Sequence, residues 1–325
     1  MLPLAACGPD GQPLTIDIAW FGSDRPVAAL IHSSGTHGVE GFAGSAIQLQ
    51  FLEQIPDIPS HAAVVLVHIL NPFGMAWLRR TNSNNVDLNR NVLPVSDSYT
   101  GIPAGYVTFE TFLNPPSRPS RDLFLLKAAW LIARYNMAAL KKAVVTGQYE
   151  RPMGLFFGGK ELQEEAWVYQ EYVSNRLGTA RHVIAIDVHT GLGKFGHDTL
   201  FADPDAFERL HTLFGDRVAP LDADRSVGYS FRGGFHTMLP RVLPQARVDF
   251  VCQEFGTRGP ISVLHALREE NRWHHFGTRE LHHPTKQRLK ETFCPDQSIW
   301  RDAVLGRGQE ILDRASRFLE SGSSE

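Results

Sequence analysis

Five segments of the chain carry the apolar pattern of β-strands. Residues 63–70 are an almost continuous aliphatic run, which is typical of a strand buried on both faces of a sheet. Shorter or alternating apolar runs predict four more strands. The predicted strands cover residues 15–20, 27–31, 63–70, 182–189 and 247–255.

Segments with helical spacing of apolar residues separate these strands. Their apolar residues recur every three or four positions, as in a helix that packs one face on a core. The predicted helices cover residues 39–54, 121–145, 162–177 and 297–319, and another begins at Pro260, the first helical position that proline favours. This alternation of strands and helices predicts an α/β fold, with a mixed, mostly parallel central sheet between two layers of helices.

The chain of 325 residues shows no internal repeat and no linker-like change in composition, so we expect a single domain over residues 1–325. Single α/β domains often reach ~250 residues. The segment 79–119 is rich in Asn, Pro and Ser, which predicts a long loop. Loops of that length are usually functional or disordered.

Composition and charge exclude several classes of protein. With 43% hydrophobic and 21% charged residues, the chain is typical of globular proteins and unlike disordered, fibrous or disulfide-rich ones. A net charge of -3 gives no electrostatic signal for a nucleic-acid partner. The sequence has no basic amphipathic helix and no apolar run of ~18 residues, so we expect no membrane partner. The three scattered cysteines predict reduced thiols, and hence a cytoplasmic protein.

Residues with the chemistry of metal ligands follow two predicted strands. His37 and Glu40 lie three positions apart near the start of a helix, so both side chains can reach one ion. His189 ends another strand, and open α/β sheets bind ligands at the carboxyl ends of their strands. Together the three residues fit the His₂Glu set of a catalytic zinc ion. The alternatives are a helix-surface pair of His37 with Glu40 and a core histidine bonded to Asp187.

A further strand end supplies a carboxylate that fits a general base. Glu254 follows an apolar strand, where burial would raise the pKa of its carboxyl group toward a useful range. Such a group can take a proton from water that zinc has acidified. The alternative is an ion pair of Glu254 with Arg258. A different motif, the glycine-rich stretch 191–196, has the spacing of a dinucleotide-binding loop, but the residues after it predict a strand and a turn instead of the required helix.

The order of these motifs resembles that of the zinc carboxypeptidase superfamily. The order in this chain is His37-x-x-Glu40, Asp87-Leu-Asn89-Arg90, His189 and Glu254. The superfamily includes carboxypeptidase A-type enzymes and the succinylglutamate desuccinylase/aspartoacylase branch. The chain is most similar to a bacterial metallocarboxypeptidase-like branch with poorly defined substrates. Because the matched motifs span residues 37–258, the resemblance implies one zinc carboxypeptidase-like catalytic domain.

The resemblance implies a role for each residue at the metal. His37, Glu40 and His189 would hold one zinc ion, Zn2+. Asp87 would orient His37 through the second nitrogen of its ring. Glu254 would act as general base and then as general acid. These roles make the protein an enzyme.

The resemblance also implies contacts with the substrate. The arginine that precedes the Asp-Leu-Asn-Arg motif would polarise the scissile carbonyl and stabilise its oxyanion. Arg79 and Arg80 both stand there, and Arg79 aligns better with the family pattern. Asn89 and Arg90 would bind a free carboxylate of the substrate, Arg90 through a planar bidentate pair.

Three segments are candidates for covering the cleft. Tyr229, with paired glycines shortly after it, resembles the mobile tyrosine that closes over the substrate in carboxypeptidase A-type enzymes. A buried tyrosine beside a turn is the alternative. The insert 99–119 and the glycine-containing segment 153–159 are the other two, and both could equally be inert surface loops.

The function expected from these residues is hydrolysis, by a zinc-dependent enzyme, of an amide or peptide bond next to a free carboxylate. The substrate would be a small peptide. One alternative is an N-acyl amino acid deacylase of the aspartoacylase and succinylglutamate desuccinylase type. The other is a catalytically silent binding protein on the same scaffold. The sequence leaves the natural substrate, the oligomeric state and the metal in vivo open.

Overall fold

The computed structural model describes residues 1–221 and 232–321, and its strands form one sheet. In chain order the strands are Leu2–Cys7 (β1), Pro13–Gly22 (β2), Ala28–Ser34 (β3), Ala62–His68 (β4), His182–Phe195 (β5), Asp198–Ala202 (β6), Val218–Pro220 (β7) and Arg247–Gly256 (β8). They pair in the order β1-β2-β4-β3-β5-β8-β6-β7. The central strands β4, β3, β5 and β8 are parallel, and β2 and β6 run antiparallel on either side of them. The predicted mixed, mostly parallel sheet is confirmed.

Helices cover both faces of this sheet. In chain order they are Gly41–Leu52 (α1), Pro72–Ala76 (α2), Ala104–Leu113 (α3), Phe124–Tyr135 (α4), Met137–Val145 (α5), Glu164–Arg176 (α6), Phe207–Phe214 (α7), Leu239–Val242 (α8), Pro260–Phe276 (α9), Pro284–Phe293 (α10) and Ser298–Ser321 (α11). On one face, α1, α7 and α11 bury Ile47, Leu210 and Ile311 in a core with the sheet. On the other, α6 and α8 bury Tyr169 and Leu239. The three-layer α/β architecture is therefore confirmed.

A third apolar core joins α3, α4, α5, α9 and α10. Its buried aromatic side chains include Tyr106, Phe124 and Phe293, and it also contains Val39, which follows β3. Both α9 and α10 contact β5. These helices therefore stand at the edge of the sheet where β3 and β5 end. Within residues 1–221 and 232–321, none of the helices has the length and apolar character needed to cross a bilayer.

The segment 121–145, which was predicted to be helical, forms the two helices α4 and α5. Asn136 separates α4 from α5 and has a φ of 66°. A positive φ is uncommon for residues other than glycine, and asparagine adopts one more often than most. Its side chain also accepts a hydrogen bond from Ala139 N in the first turn of α5, which caps that helix. The apolar pattern continues through residue 136, but the helix is interrupted there because Asn136 caps a new helix.

The structure also adds elements that the sequence pattern did not indicate. β1 and β7 are short strands with few fully buried positions, and α3 lies inside the predicted loop 79–119. β5 runs to Phe195 and leads by a short turn into β6. The glycine-rich stretch 191–196 thus lies at the end of β5 and in the turn after it, and the residues that follow form β6, the strand predicted there. No helix begins there, so the dinucleotide-binding reading has no structural support.

Candidate metal centre

Three strand ends meet at one edge of the sheet. β3, β5 and β8 are parallel neighbours, and His189 in β5 is paired with Glu254 in β8. His37 follows Ser34, the last residue of β3. The 3-10 helix Gly38–Glu40 comes next and ends at Glu40. Parallel pairing therefore brings residues 37, 40, 189 and 254 to one edge, although they are far apart in the sequence.

A close backbone approach fixes the turn that carries His37 and Glu40. Gly38 N donates to the carbonyl oxygen of Arg80 at 3.2 Å, and Val39 N donates to that of Arg79 at 2.8 Å. A Cβ atom at position 38 would lie 2.1 Å from the carbonyl carbon of Gly74. No side chain fits in that gap. Glycine at position 38 is therefore what allows the two backbone segments to pack together.

The three predicted ligands lie together in the interior. Nδ1 of His37 is 2.9 Å from Oε1 of Glu40. Nδ1 of His189 is 3.2 Å from Oε2 of Glu40 and 3.2 Å from Nδ1 of His37. All three residues are buried, and their ligand atoms lie within 4.8 Å of one another. One metal ion can be reached by all three.

The outer nitrogen of each imidazole faces a carboxylate. Nε2 of His37 is 3.1 Å from Oδ1 of Asp87, and Nε2 of His189 is 2.8 Å from Oδ2 of Asp187. At His189 this carboxylate favours the tautomer with a proton on Nε2, so that its Nδ1 lone pair points toward Glu40. Two imidazole nitrogens and a carboxylate that face one another can share one cation. The residues present therefore fit a divalent metal ion.

The centre is arranged to keep its carboxylates ionised. Burial alone would raise the pKa of Glu40, but the two imidazoles and the Arg80 guanidinium outweigh it and hold that pKa below its usual value. Burial would likewise raise the pKa of Asp187. The neighbouring imidazole and two hydroxyl donors, Ser33 and Thr36, hold that pKa below its usual value. Both carboxylates therefore carry the charge that a metal centre needs.

Arg80, not Arg79, is the arginine at the site, and the assignment to Arg79 is corrected. Nη1 of Arg80 lies 3.0 Å from Oε1 of Glu40, and its Nε lies 3.1 Å from Oδ2 of Asp87. Its Nη2 is also 2.6 Å from Nε2 of His37. Arg79 is fully buried elsewhere, with Nε 2.9 Å from Oε1 of Glu270. Successive residues of this segment face opposite ways, and the buried ion pair decides which one faces the cavity.

Asn89 and Arg90 line the same cavity as the metal ligands. They belong to the 3-10 helix Leu88–Arg90, which Asp87 caps by accepting from Asn89 N. Nη1 of Arg90 is 2.7 Å from Oδ2 of Asp87, while its Nε and Nη2 donate to the carbonyl oxygen of Val145. Oδ1 of Asn89 accepts from Phe235 N at 3.3 Å, which leaves the Nδ2 amide to donate to a ligand. Their binding of a substrate carboxylate stays a prediction.

Glu254 is buried and lines the cavity. Its Oε1 accepts a hydrogen bond from Leu192 N at 2.8 Å. Arg258, its alternative partner, has Nη2 3.0 Å from Oε1 of Glu291. The expected rise in the pKa of Glu254 stays a prediction. Tyr229 lies outside the described residues.

Sequence reasoning missed an aromatic residue between the two arginines. The guanidinium carbon of Arg80 lies 5.5 Å from the centre of the Phe156 ring, and that of Arg90 lies 5.3 Å from it. Phe156 lines the cavity and has a φ of 57°, an uncommon backbone conformation for a phenylalanine. It belongs to the segment 153–159, which was a candidate for covering the cleft. The cluster of glycines around it was the only signal in the sequence.

The remaining walls of the cavity are mainly apolar, and the sequence analysis did not predict that their residues line a cavity. Their residues lie mainly on α5 and α9, with Phe293 at the end of α10. The cavity volume is about 130 Å³. The helical pattern of these segments indicated only that they pack on a core. It could not show that one stripe of each helix faces a cavity.

A family model described as "Protein of unknown function (DUF2817)" matches residues 2–307. No curated protein sequence matches the chain. A carboxypeptidase A from Helicoverpa armigera is similar in structure, with a TM-score of 0.48, 13% identity and coverage of 98% of this chain and 68% of that one. The murein-tripeptide amidase MpaA from Escherichia coli O157 has a TM-score of 0.41, 18% identity and coverage of 82% and 90%. A putative succinylglutamate desuccinylase/aspartoacylase family protein from Shewanella amazonensis SB2B has a TM-score of 0.39, 18% identity and coverage of 83% and 70%.

Proposed function

The chain belongs to the family described as "Protein of unknown function (DUF2817)", and from the geometry of its site we propose that it is a zinc-dependent hydrolase. The proposed reaction is cleavage of an amide or peptide bond next to a free carboxylate. One observation carries the proposal: the buried ligand atoms of His37, Glu40 and His189 converge. The cavity that they line also contains Glu254 and Arg80.

The donor set supports zinc as the metal. Two imidazole nitrogens and one carboxylate form a set typical of catalytic zinc, whereas calcium and magnesium prefer oxygen ligands. Among the described residues there is one such group of ligands, so we expect one ion. A bound zinc ion supplies Lewis acidity and makes water more acidic. The fold holds the ligands through Asp87 and Asp187, which keep both imidazole rings in place.

Glu254 is the proposed general base. Its position beside His189 in the sheet and its place in the cavity support this role. The hydrogen bond from Leu192 N to Oε1 orients the carboxylate. The carboxylate takes a proton from the attacking water and then passes it to the leaving nitrogen, so it is ionised again at the end of the cycle.

Arg80 is the proposed oxyanion stabiliser, and Asn89 and Arg90 are the proposed carboxylate ligands. All three line the cavity. A guanidinium that is already held by carboxylates and an aromatic ring needs little reorganisation when charge develops on the substrate. Arg90 offers the planar donor geometry that suits a carboxylate. The closure of Tyr229 over the substrate remains a proposal from the sequence.

The test is a hydrolysis screen combined with metal analysis. We expect about one zinc per chain and loss of hydrolysis when a chelator removes it. Peptides and N-acyl amino acids with a free carboxylate should be cleaved, and the same compounds as amides should not. Glu254→Gln should lower kcat by about 10²–10⁴-fold while the metal is retained. Glu291→Gln, a change on α10 at a carboxylate outside the cavity, is the matched control and should keep full activity.

The same screen separates the proposed peptidase from its alternatives. A deacylase would cleave N-acyl amino acids and leave peptides of similar size intact. A binding protein would bind these compounds with no turnover even when loaded with zinc. If the Glu254→Gln variant kept full activity, the assignment of Glu254 as the general base would be wrong.

A further inference from the structure

The cavity has a polar end and two apolar walls. The polar end contains the metal ligands, Glu254 and the two arginines. One wall is a stripe of α5, and the other is a stripe of α9. The apolar stripes of the walls contain Met137, Leu140 and Val144 on α5, and Ile261, Leu264 and Leu267 on α9; Val145, Pro260 and Val263 beside them also line the cavity.

Each wall follows the periodicity of its helix. Positions three or four residues apart share a helix face, and both triplets have this spacing. Seven residues separate Met137 from Val144, a rise of ~10 Å, and six separate Ile261 from Leu267, a rise of ~9 Å. The cavity is therefore bordered by two apolar stripes of similar length, and its volume of about 130 Å³ includes both the space beside them and the polar end.

The α5 wall begins at the proposed carboxylate ligand. Nη2 of Arg90 lies 2.7 Å from the carbonyl oxygen of Val145, the last residue of α5. From there the wall runs back along the helix through Leu140, which is 2% exposed, to Met137, which is 38% exposed. The wall thus leads from the buried polar end to solvent.

One charged residue interrupts the two walls within the described lining. Lys141 is partly buried on α5, next to Leu140. A lysine at the border of an apolar surface contributes its methylene stem to that surface, while its ammonium group stays in water. Lys141 is therefore compatible with an apolar wall that opens to solvent.

We propose that the group beside the scissile amide is an extended aliphatic chain that lies between α5 and α9. This proposal rests on the proposed function and names its substrate class: carboxylate-bearing amides with an aliphatic acyl group or side chain. Burial of aliphatic surface supplies binding energy along the whole channel. A short polar acyl group would leave both walls without a partner.

The test is a homologous series of substrates. The N-acetyl, N-butyryl, N-hexanoyl and N-octanoyl derivatives of alanine share one carboxylate and one scissile bond. We expect kcat/KM to rise about fourfold for each added methylene, which corresponds to about 0.8 kcal/mol. Dipeptides whose first residue is alanine, leucine or norleucine form a second arm. This arm shows whether the chain belongs to an acyl group or to an amino-acid side chain.

A pair of variants locates the effect on the α5 wall. Met137→Lys places a charge at the mouth of the channel, and Ala138→Lys places the same charge one residue away, at an exposed position that does not line the cavity. Met137→Lys should reduce the octanoyl-to-acetyl ratio of kcat/KM at least tenfold, and Ala138→Lys should keep the wild-type ratio. Both variants are compared by thermal unfolding, so that a folding defect is recognised.

The outcomes distinguish this inference from the proposed function. If all chain lengths are cleaved equally well, the function stands and the aliphatic channel is refuted. If none is cleaved, the proposed function fails, and calorimetric binding of the same series to the zinc-loaded protein decides the inference alone. Affinity that rises with chain length then supports the channel, and equal affinities refute it.

Discussion

Asp187 lies two residues before His189 on β5, and its Oδ2 is 2.8 Å from Nε2 of that histidine. Residues two apart on a strand point to the same side of a sheet, so β5 itself sets this contact. The carboxylate fixes the ring with Nδ1 toward Glu40. One strand therefore supplies both a candidate metal ligand and the group that orients it.

Asp187→Asn should lower zinc affinity by about 10–100-fold, because the histidine loses its anionic partner. Competition with a chromogenic chelator measures this change. The matched control is Asp249→Asn, since Asp249 is a buried aspartate whose Oδ2 lies 2.8 Å from Nε2 of His182. It should destabilise the fold while leaving zinc affinity intact. Equal zinc affinities of the Asp187 variant and the wild type would contradict the assigned role.

Substitution of Arg80 should mainly lower activity, and substitution of Arg79 should mainly lower stability. Arg80→Lys removes the planar guanidinium at the site and should lower kcat by about 10²–10³-fold, with zinc retained. Arg79→Met leaves the buried Glu270 with Lys286 as its remaining cation and should lower the free energy of unfolding by about 3 kcal/mol. Urea unfolding and steady-state kinetics of both variants are the measurements. A larger loss of kcat in the Arg79 variant would reverse the correction.

Phe156→Leu should raise KM or lower kcat, because the ring holds Arg80 and Arg90 in place. The loss of cation–π contacts of ~1–2 kcal/mol corresponds to about a 5–30-fold decrease in kcat/KM. Phe157→Leu makes the same change at the next residue, which is buried in the core between the sheet and α6. It should cost stability and leave kcat/KM unchanged. The prediction fails if the two variants have the same kinetics.

Stability should fall in mild acid because of His32. This residue is fully buried on β3, and burial lowers its pKa to about 4. In the unfolded chain the imidazole has a pKa near ~6.5, so below that pH the unfolded state binds a proton that the folded state does not. The contribution of His32 is complete above pH ~6.5 and is lost as the pH falls toward about 4.

His32→Asn should remove that part of the pH dependence. Between pH 7 and pH 5 the free energy of unfolding of the wild type should fall by about 2 kcal/mol more than that of the variant. Urea unfolding at the two pH values measures the difference. An identical pH dependence of both proteins would show that His32 does not titrate on unfolding.

The sequence by itself identified the residues of the candidate metal site and much of the sheet. His37 and Glu40 are linked by local spacing, and His189 and Glu254 are marked by their place at the ends of apolar strands. Local periodicity and the rule that parallel strands end at one edge suffice for such residues, because both act over short stretches of chain.

The tertiary structure decided which neighbouring side chain reaches the site. Arg79 and Arg80 are equivalent in local sequence, and Glu270 on α9 draws Arg79 away from the cavity. The apolar periodicity of residues 121–145 does not indicate the break at Asn136, where the backbone has a positive φ and a second helix begins. These outcomes depend on partners or backbone angles that apolar spacing does not encode.

The sequence thus determined the chemistry at the carboxyl ends of β3, β5 and β8, and the tertiary structure determined what surrounds it. The stripes of α5 and α9 carry the apolar pattern of any packed helix. The cavity between those stripes exists because of how the two helices are placed relative to the sheet. The physical reason is that hydrophobic burial is non-directional, so a pattern of apolar residues does not specify which surface they will meet.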